Sequence, residues 1–287
     1  MTEFDYNVGL STAFDLTEEN FKKLRDAGIS AIEISVPAEK YAGIDYEGVK
    51  KFADEYGIKL WSYHLPFYPF EKIDISALDE EQRKYTLSYF SEIIEKATAI
   101  GFDKFVVHAS GEPIEECKRE KRMSQAKKSL AFLAEFAEKH GAVIAVEDLP
   151  RTCLGRNSSD IKELLSADKR LRVCFDTNHL LGEDNLDFME ELKDKIITVH
   201  VSDYDRVNER HWLPGEGVID WQKMLKKFRE IGYKGVWMYE ISLKCPKTII
   251  RDRDLNFVDF RVNADNIFAN KPQPVLSRHK PNLGMWE

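Results

Sequence analysis

Apolar and polar positions along this chain follow two alternating rhythms. Short apolar runs are each followed by a stretch in which apolar residues return every three or four positions. The first rhythm suits a strand covered on both faces, the second an amphipathic helix. The strand-like runs are YNVGLS (6–11), SAIEIS (30–35), IKLWSYH (58–64), KFVVHAS (104–110), GAVIAVED (141–148), RVCFD (172–176), IITVHVSD (196–203) and GVWMYEIS (235–242). The helix-like stretches cover 17–28, 46–57, 79–100, 119–140, 158–166, 186–193, 220–231 and 254–269. Thr17 suits an N-cap and Gly28 a helix stop.

Strands that take turns with helices pair in parallel through right-handed crossovers. Eight such units in a chain of 287 residues predict an α/β fold, the (β/α)8 TIM barrel, as a single domain over residues 1–270. An open doubly wound sheet is the alternative, but no strand leads into a G-x-G-x-x-G turn or a G-x-x-x-x-G-K-[ST] loop. Residues 271–287, with three prolines and mixed charge, read as an extended C-terminal arm.

In a barrel the chemistry gathers where the strands end. His64, His108, Glu147, Asp176, His200 and Glu240 stand at or near the ends of strands three to eight, and His179 follows Asp176. Carboxylates crowded together repel, and a divalent cation relieves that. Glu147, Asp176, His200 and Glu240 offer three carboxylates and one imidazole. That donor set suits Mn2+ first, and also Mg2+, Co2+, Fe2+ or Zn2+.

Composition narrows the field. Hydrophobic residues make up 43%, enough for a sizeable core. A net charge of -8 argues against a general nucleic-acid binder. The four cysteines form no C-x-x-C pair and read as reduced thiols, so a cytoplasmic location is expected. The opening MTEFDYNVGLSTAFD lacks the basic and apolar regions of a signal peptide, and no run is long enough to span a membrane.

VEDLPR around Glu147, CFDTNH, HVSDYDR, PGEGVIDW and WMYEIS together resemble the xylose-isomerase-like TIM-barrel superfamily of sugar phosphate isomerases and epimerases. The resemblance covers nearly the whole chain to about residue 270. It implies one metal held by Glu147, Asp176, His200 and Glu240, with His179 and Arg206 contacting substrate. It also implies a sugar isomerase or epimerase in which Glu147 and Glu240 move a proton through an enediolate. The implied partner is a sugar, sugar phosphate or glycoside. Other members are dehydratases acting on keto-sugars or keto-inositols and endonuclease IV-type repair enzymes; a non-catalytic sugar-binding subunit is a further alternative. One departure stands out: ketohexose 3-epimerases carry a second glutamate six residues after the first, where this chain has Cys153.

Several residues allow two readings. His211, in ERHWLPGEG, matches the place where the repair enzymes carry D-x-H and extra metal ligands; here the triplet is Glu209, Arg210 and His211. His64, His108 and His211 are expected to line a pocket. Trp61, Phe67, Tyr68, Phe70 and Trp212 are expected near the same rim, Trp61 and Trp212 as substrate contacts. The apolar segment LPFYPFEKIDIS (65–76) reads either as a lid or sugar platform, or as a surface packed on the barrel or on another subunit of a homo-oligomer. The basic run 117–128 reads as a solvated helix face.

Overall fold

The computed structural model describes residues 6–12, 14–280 and 284. Eight strands pair only in parallel, in the order β7-β6-β5-β4-β3-β2-β1-β8. They are β1 (Val8–Ser11), β2 (Ala31–Ile34), β3 (Lys59–His64), β4 (Lys104–Val107), β5 (Val143–Glu147), β6 (Arg172–Asp176), β7 (Ile196–His200) and β8 (Trp237–Tyr239). The seam between β7 and β8 is joined by a parallel bridge from Val201 to Tyr239, with the Val201 amide donating to Met238 at 2.7 Å. The sheet is thus a nearly closed barrel, and the open-sheet alternative falls away.

Helices α1 (Glu18–Asp26), α2 (Tyr46–Tyr56), α3 (Glu80–Ala99), α4 (Glu116–Lys139), α5 (Ser158–Leu165), α6 (Asn185–Leu192), α7 (Trp221–Glu230) and α8 (Phe257–Phe268) each follow one of these strands. Their starts are written locally. Thr17, Asp45, Asp79, Asn157, Asp184, Asp220 and Asn256 each accept from a first-turn amide that would otherwise lack a partner. Helix α4 has no such cap and is anchored by side chains instead. Arg119 pairs with Asp160 and donates to the Thr152 and Cys153 carbonyls, while Arg122 pairs with buried Asp74. The basic run is therefore partly a brace between loops rather than only a solvated face.

Strand period decides what faces where. Ile32, Ile34, Phe105, Val107, Ile144, Val146, Val173, Phe175, Trp237 and Tyr239 point outward into one apolar layer with Phe21, Leu24, Leu130, Phe188 and Phe228 of the helices. The intervening residues fill the barrel. Ala31, Trp61, Val236 and Met238 form one interior cluster, and Val106, Ala145 and Cys174 another. Gly9 makes room for the first, since a Cβ there would meet Val236 at 2.6 Å and Met238 at 2.8 Å. Continuing the same alternation toward the strand ends places Ser11, Glu33, His108, Glu147, Asp176, His200 and Glu240 inside, and a register shift at Trp61 in β3 brings His64 inside with them.

The C-terminal segment contributes β10 (Ser277–His279), which pairs antiparallel with β9 (Ile249–Arg251), and His279 stacks on Trp212. Residues 281–283 and 285–287 of the expected arm lie outside the described residues. Among the described residues no helix is long and apolar enough to cross a membrane, and Cys117, Cys153, Cys174 and Cys245 are free thiols.

Candidate active site

Glu147, Asp176, His200 and Glu240 converge at the mouth, with one donor atom from each within 4.8 Å of all the others. Glu147 is the hub. Its Oε1 is 2.7 Å from Nδ1 of His200, and its Oε2 is 3.1 Å from Nε2 of His64 and 3.0 Å from Nε2 of His108. Nδ1 of His200 also faces Glu240 Oε2 at 3.4 Å and Asp176 Oδ2 at 3.8 Å. Asp176 is aimed by its own turn: Oδ1 accepts from the Asn178 amide at 2.6 Å, leaving Oδ2 buried without a hydrogen-bond partner. A buried carboxylate oxygen with no donor is costly. Three acids and an imidazole around it form the donor set that a hard or borderline divalent cation satisfies, so the residues fit a metal.

The electrostatics separate the two glutamates. Burial works to raise the Glu147 carboxyl, but His200 and His108 outweigh it and hold it well below the usual range. Burial pushes Glu240 up to about 7, with Glu147 and Asp176 adding repulsion that His200 and His211 only partly offset. Burial opposes charge on His200, yet Cys174, Glu240, Glu33 and Glu147 keep its pKa well above the imidazole norm. Burial lowers His108, with repulsion from His64 and His179 adding to it and Glu147 only partly opposing.

Above this layer lies a cavity of about 210 Å³ lined by Phe67, Phe70, His108, Ser110, Arg151, Cys153, His179, Glu209, His211 and Glu240, among others. A wider groove of about 340 Å³, lined by Phe14, Val36, Ile44 and Phe52, holds no metal-ligating cluster among the described residues. His179 is held by its Nδ1 against the Asp148 carbonyl at 2.7 Å, with Nε2 3.1 Å from Glu209. His179, Glu209 and His211 form a second donor group, and His64, His108 and Glu147 a third. Asn178 sets the loop that carries Glu209 and His211, accepting the Arg210 amide at 2.6 Å and the His211 amide at 3.2 Å. His211 Nδ1 lies 3.1 Å from the Glu240 carbonyl.

Four expected contacts lie elsewhere. His64 is fully buried and does not line the cavity; its ring is taken up by Glu147 and by the Leu65 carbonyl, 2.8 Å from Nδ1. Trp61 lies in the lower interior of the barrel, its Nε1 donating to Thr198 at 3.0 Å with Lys59 and Lys104 over its ring. His64 is three residues further on, about 10 Å along a strand. Trp212 is fully buried and donates to Thr248 at 2.8 Å. Arg206 has a positive φ of 62° and turns out to the surface, 3.2 Å from Asp184. The guanidinium at the cavity belongs instead to Arg151, which pairs with Glu112, with Glu209 at 2.7 Å and with Asn208 at 2.6 Å.

The segment 65–76 is divided. Phe67 stacks on His108 at 4.4 Å and Phe70 lines the cavity, whereas Ile73, Asp74, Ile75 and Ser76 are buried against the barrel. Cys153 lines the cavity as a thiol that burial keeps protonated. Sequence reading missed Arg151 and the buried acids Glu33 and Asp148, and reached Glu209 only as the first residue of the triplet before Trp212. Only Glu33 had a signal to follow: it alternates with Ile32 and Ile34, which places it on the inner face.

A family model described as xylose isomerase-like TIM barrel matches residues 21–256, and the chain belongs to that family. It is 27% identical over 247 residues to the uncharacterized protein MJ1311 of Methanocaldococcus jannaschii, covering 81% of this chain and 82% of that one. It is 25% identical over 119 residues to the fructoselysine 3-epimerase of Escherichia coli O157:H7, covering 39% of this chain and 43% of the other. A crystal structure described as a D-tagatose 3-epimerase-like protein superposes with a TM-score of 0.77 at 23% identity, covering 92% of this chain and 96% of its own.

Proposed function

We propose that this member of the xylose isomerase-like family is a divalent-metal-dependent isomerase or epimerase of a small sugar or sugar derivative. The observation that carries the reading is the convergence of Glu147, Asp176, His200 and Glu240 on one point, with Asp176 Oδ2 left without a hydrogen bond. These four would hold the cation. When bound, it supplies positive charge beside the substrate carbonyl and hydroxyl oxygens while a proton leaves the neighbouring carbon.

The rest falls to the chain itself. Two carboxyls whose environments push their pKa values apart suit the two roles of a proton-transfer pair. Glu147, held ionised by His200 and His108, is the base. Glu240 lines the cavity and, with a pKa of about 7, is poised to return a proton near neutral pH. His179 reaches the same cavity with a pKa raised well above the imidazole norm, as Asp176, Glu209 and Glu147 overcome its burial, so it can donate to a substrate oxygen. Phe67 and Phe70 offer apolar faces to a sugar ring. The sugar 3-epimerases among the similar proteins support the same class.

The test is exchange of substrate C–H protons with solvent deuterium, using Mn2+-loaded protein and a panel of ketoses, aldoses and their glycosides. Exchange with some member, abolished by chelator and restored by Mn2+, is expected. No exchange across the panel would sink the reading.

A second reading rests on a separate observation. Four overlapping donor groups gather at this mouth, one of them joining Cys174 to Glu147 and His200, and Glu147 belongs to three of the four. A site that takes two or three cations suits phosphodiester cleavage, in which paired metals stabilise the attacking and leaving oxygens. Metal analysis separates the two: one ion per chain favours the sugar enzyme, whereas two or three ions with nicking of abasic DNA favour the nuclease.

A further inference from the structure

Glu33 is a fully buried acid in the middle of an otherwise apolar strand, and the reaction above makes no use of it. Its Oε1 accepts from the Ser11 hydroxyl at 3.0 Å and its Oε2 from the Ser62 hydroxyl at 2.7 Å. Neither hydroxyl carries charge. The ion pair made by Glu33 among the described residues is with His200, whose Nε2 lies 2.9 Å from Oε1. The oxygen stands to one side of the N–H direction, so the contact is an ionic attraction more than a straight hydrogen bond. An acid at this depth costs stability unless it is compensated, and β2 fills its preceding inward position with Ala31.

The two nitrogens of His200 face opposite demands. Nδ1 looks toward Glu147, Glu240 and Asp176, whereas Nε2 looks down toward Glu33. A neutral imidazole keeps its hydrogen on one nitrogen and can ligate a cation only through the other. Nδ1 hydrogen-bonds Glu147 Oε1 at 2.7 Å; a cation among the three acids would displace that hydrogen, and the Glu33 carboxylate beside Nε2 then favours the remaining hydrogen there and leaves the Nδ1 lone pair for the ion. Ser11 and Ser62, from the neighbouring strands β1 and β3, hold that carboxylate in place.

We propose that Glu33 is a positioning residue for the cation site: it fixes the tautomer and orientation of His200 so that Nδ1 is the ligating atom. This rests on the reading that Glu147, Asp176, His200 and Glu240 hold the ion.

The test titrates the full chain with Mn2+ and follows free Mn2+ by electron paramagnetic resonance. In Glu33→Gln the affinity is expected to fall by about 10- to 100-fold, the usual cost of removing such a supporting group. Its melting temperature in excess chelator should stay level or rise, because a buried charge is gone. Ser62→Ala, which keeps the carboxylate but loosens it, should weaken binding severalfold, and it carries the test if Glu33→Gln does not fold. In Zn2+-loaded protein with 15N-labelled histidine, His200 should carry its hydrogen on Nε2 in wild type and lose that preference in Glu33→Gln. Unchanged affinity in a folded Glu33→Gln, or a wild-type His200 ligating through Nε2, overturns the proposal while leaving the cation site standing. If Asp176→Asn binds Mn2+ as wild type does, the cation-site reading itself has failed, and this inference with it.

Discussion

Within the barrel, Trp61 packs against Ala31, Val236 and Met238, and two lysine ammonium groups lie 4.6 and 4.1 Å from its ring centroid. Nearer the C-terminal ends of the strands, Glu147, Asp176 and His200 are fully buried around Glu240, and Glu33 is fully buried behind His200. The lower interior gains by taking apolar area out of water and satisfying one indole N–H. The mouth buries a concentration of acids whose charge the surrounding histidines chiefly offset, and it leaves one oxygen each of Asp148 and Asp176 without a hydrogen bond. One barrel therefore keeps its stabilising residues and its costly residues at different heights, which is the separation expected when the costly layer is retained for chemistry.

That contrast can be broken most strongly at the hub. Glu147→Gln should cut turnover by ~10²–10⁴-fold through loss of a proton-transfer group, and further through a weakened cation site. Steady-state kinetics on the substrate identified by deuterium exchange check this. Near-normal turnover would remove Glu147 from the reaction.

The lower interior should answer in stability instead. Trp61→Ala is expected to cost about 3–5 kcal/mol, the range for truncating a buried aromatic, while kcat/KM per folded molecule stays near wild type. Denaturant melts with kinetics at low temperature measure both. A Trp61→Ala protein that is stable but slow would return Trp61 to the substrate side.

The pH dependence sharpens the comparison. A carboxyl whose pKa rises on folding binds more protons in the folded state, so its contribution favours folding at low pH and is lost as pH rises. For Glu240 the window runs from the ordinary 4.5 to about 7. Metal-free protein should lose melting temperature across that window, and Glu240→Gln should flatten the loss. Above the window, Mn2+ at ~100 times its Kd should restore about 2.7 kcal/mol. A wild-type profile that matches Glu240→Gln throughout would contradict the shift.

The smallest effect belongs to Arg206, whose exposed pair with Asp184 is worth at most ~1 kcal/mol. Arg206→Ala should leave melting temperature and kcat/KM almost unchanged. A tenfold fall in kcat/KM would mean that the loop swings inward over substrate.

Much of this was legible along the chain. A lone acid or imidazole closing an apolar strand, as at Glu147, Asp176 and His200, is expensive unless it faces a partner, and strand period sends it inward. Trp61 shows where proximity in sequence misleads, because three residues of strand separate it from His64 by about 10 Å. Arg206 and Arg151 show the limit for loops. Both have positive φ, 62° and 54°, and those backbone turns decide which guanidinium reaches the cavity; nothing in the neighbouring residue types reveals the outcome.

By itself, the order of residues determined the elements, their caps and the inward face of each strand, because these depend on periods and side chains only a few positions apart. It also determined that acids and histidines would stand at the strand ends. Which of them meet was left to tertiary structure. Glu147 and His200 are 53 positions apart in the chain and 2.7 Å apart in space. The register between β5, β6 and β7, with its irregularity between Val173 and Cys174, brings them together. Glu33 reaches the far side of the same imidazole only because the sheet curves round until β2 and β7 face each other across the interior. Contacts of this kind arise from closing a sheet on itself, a property of all eight strands together that no local stretch of sequence contains.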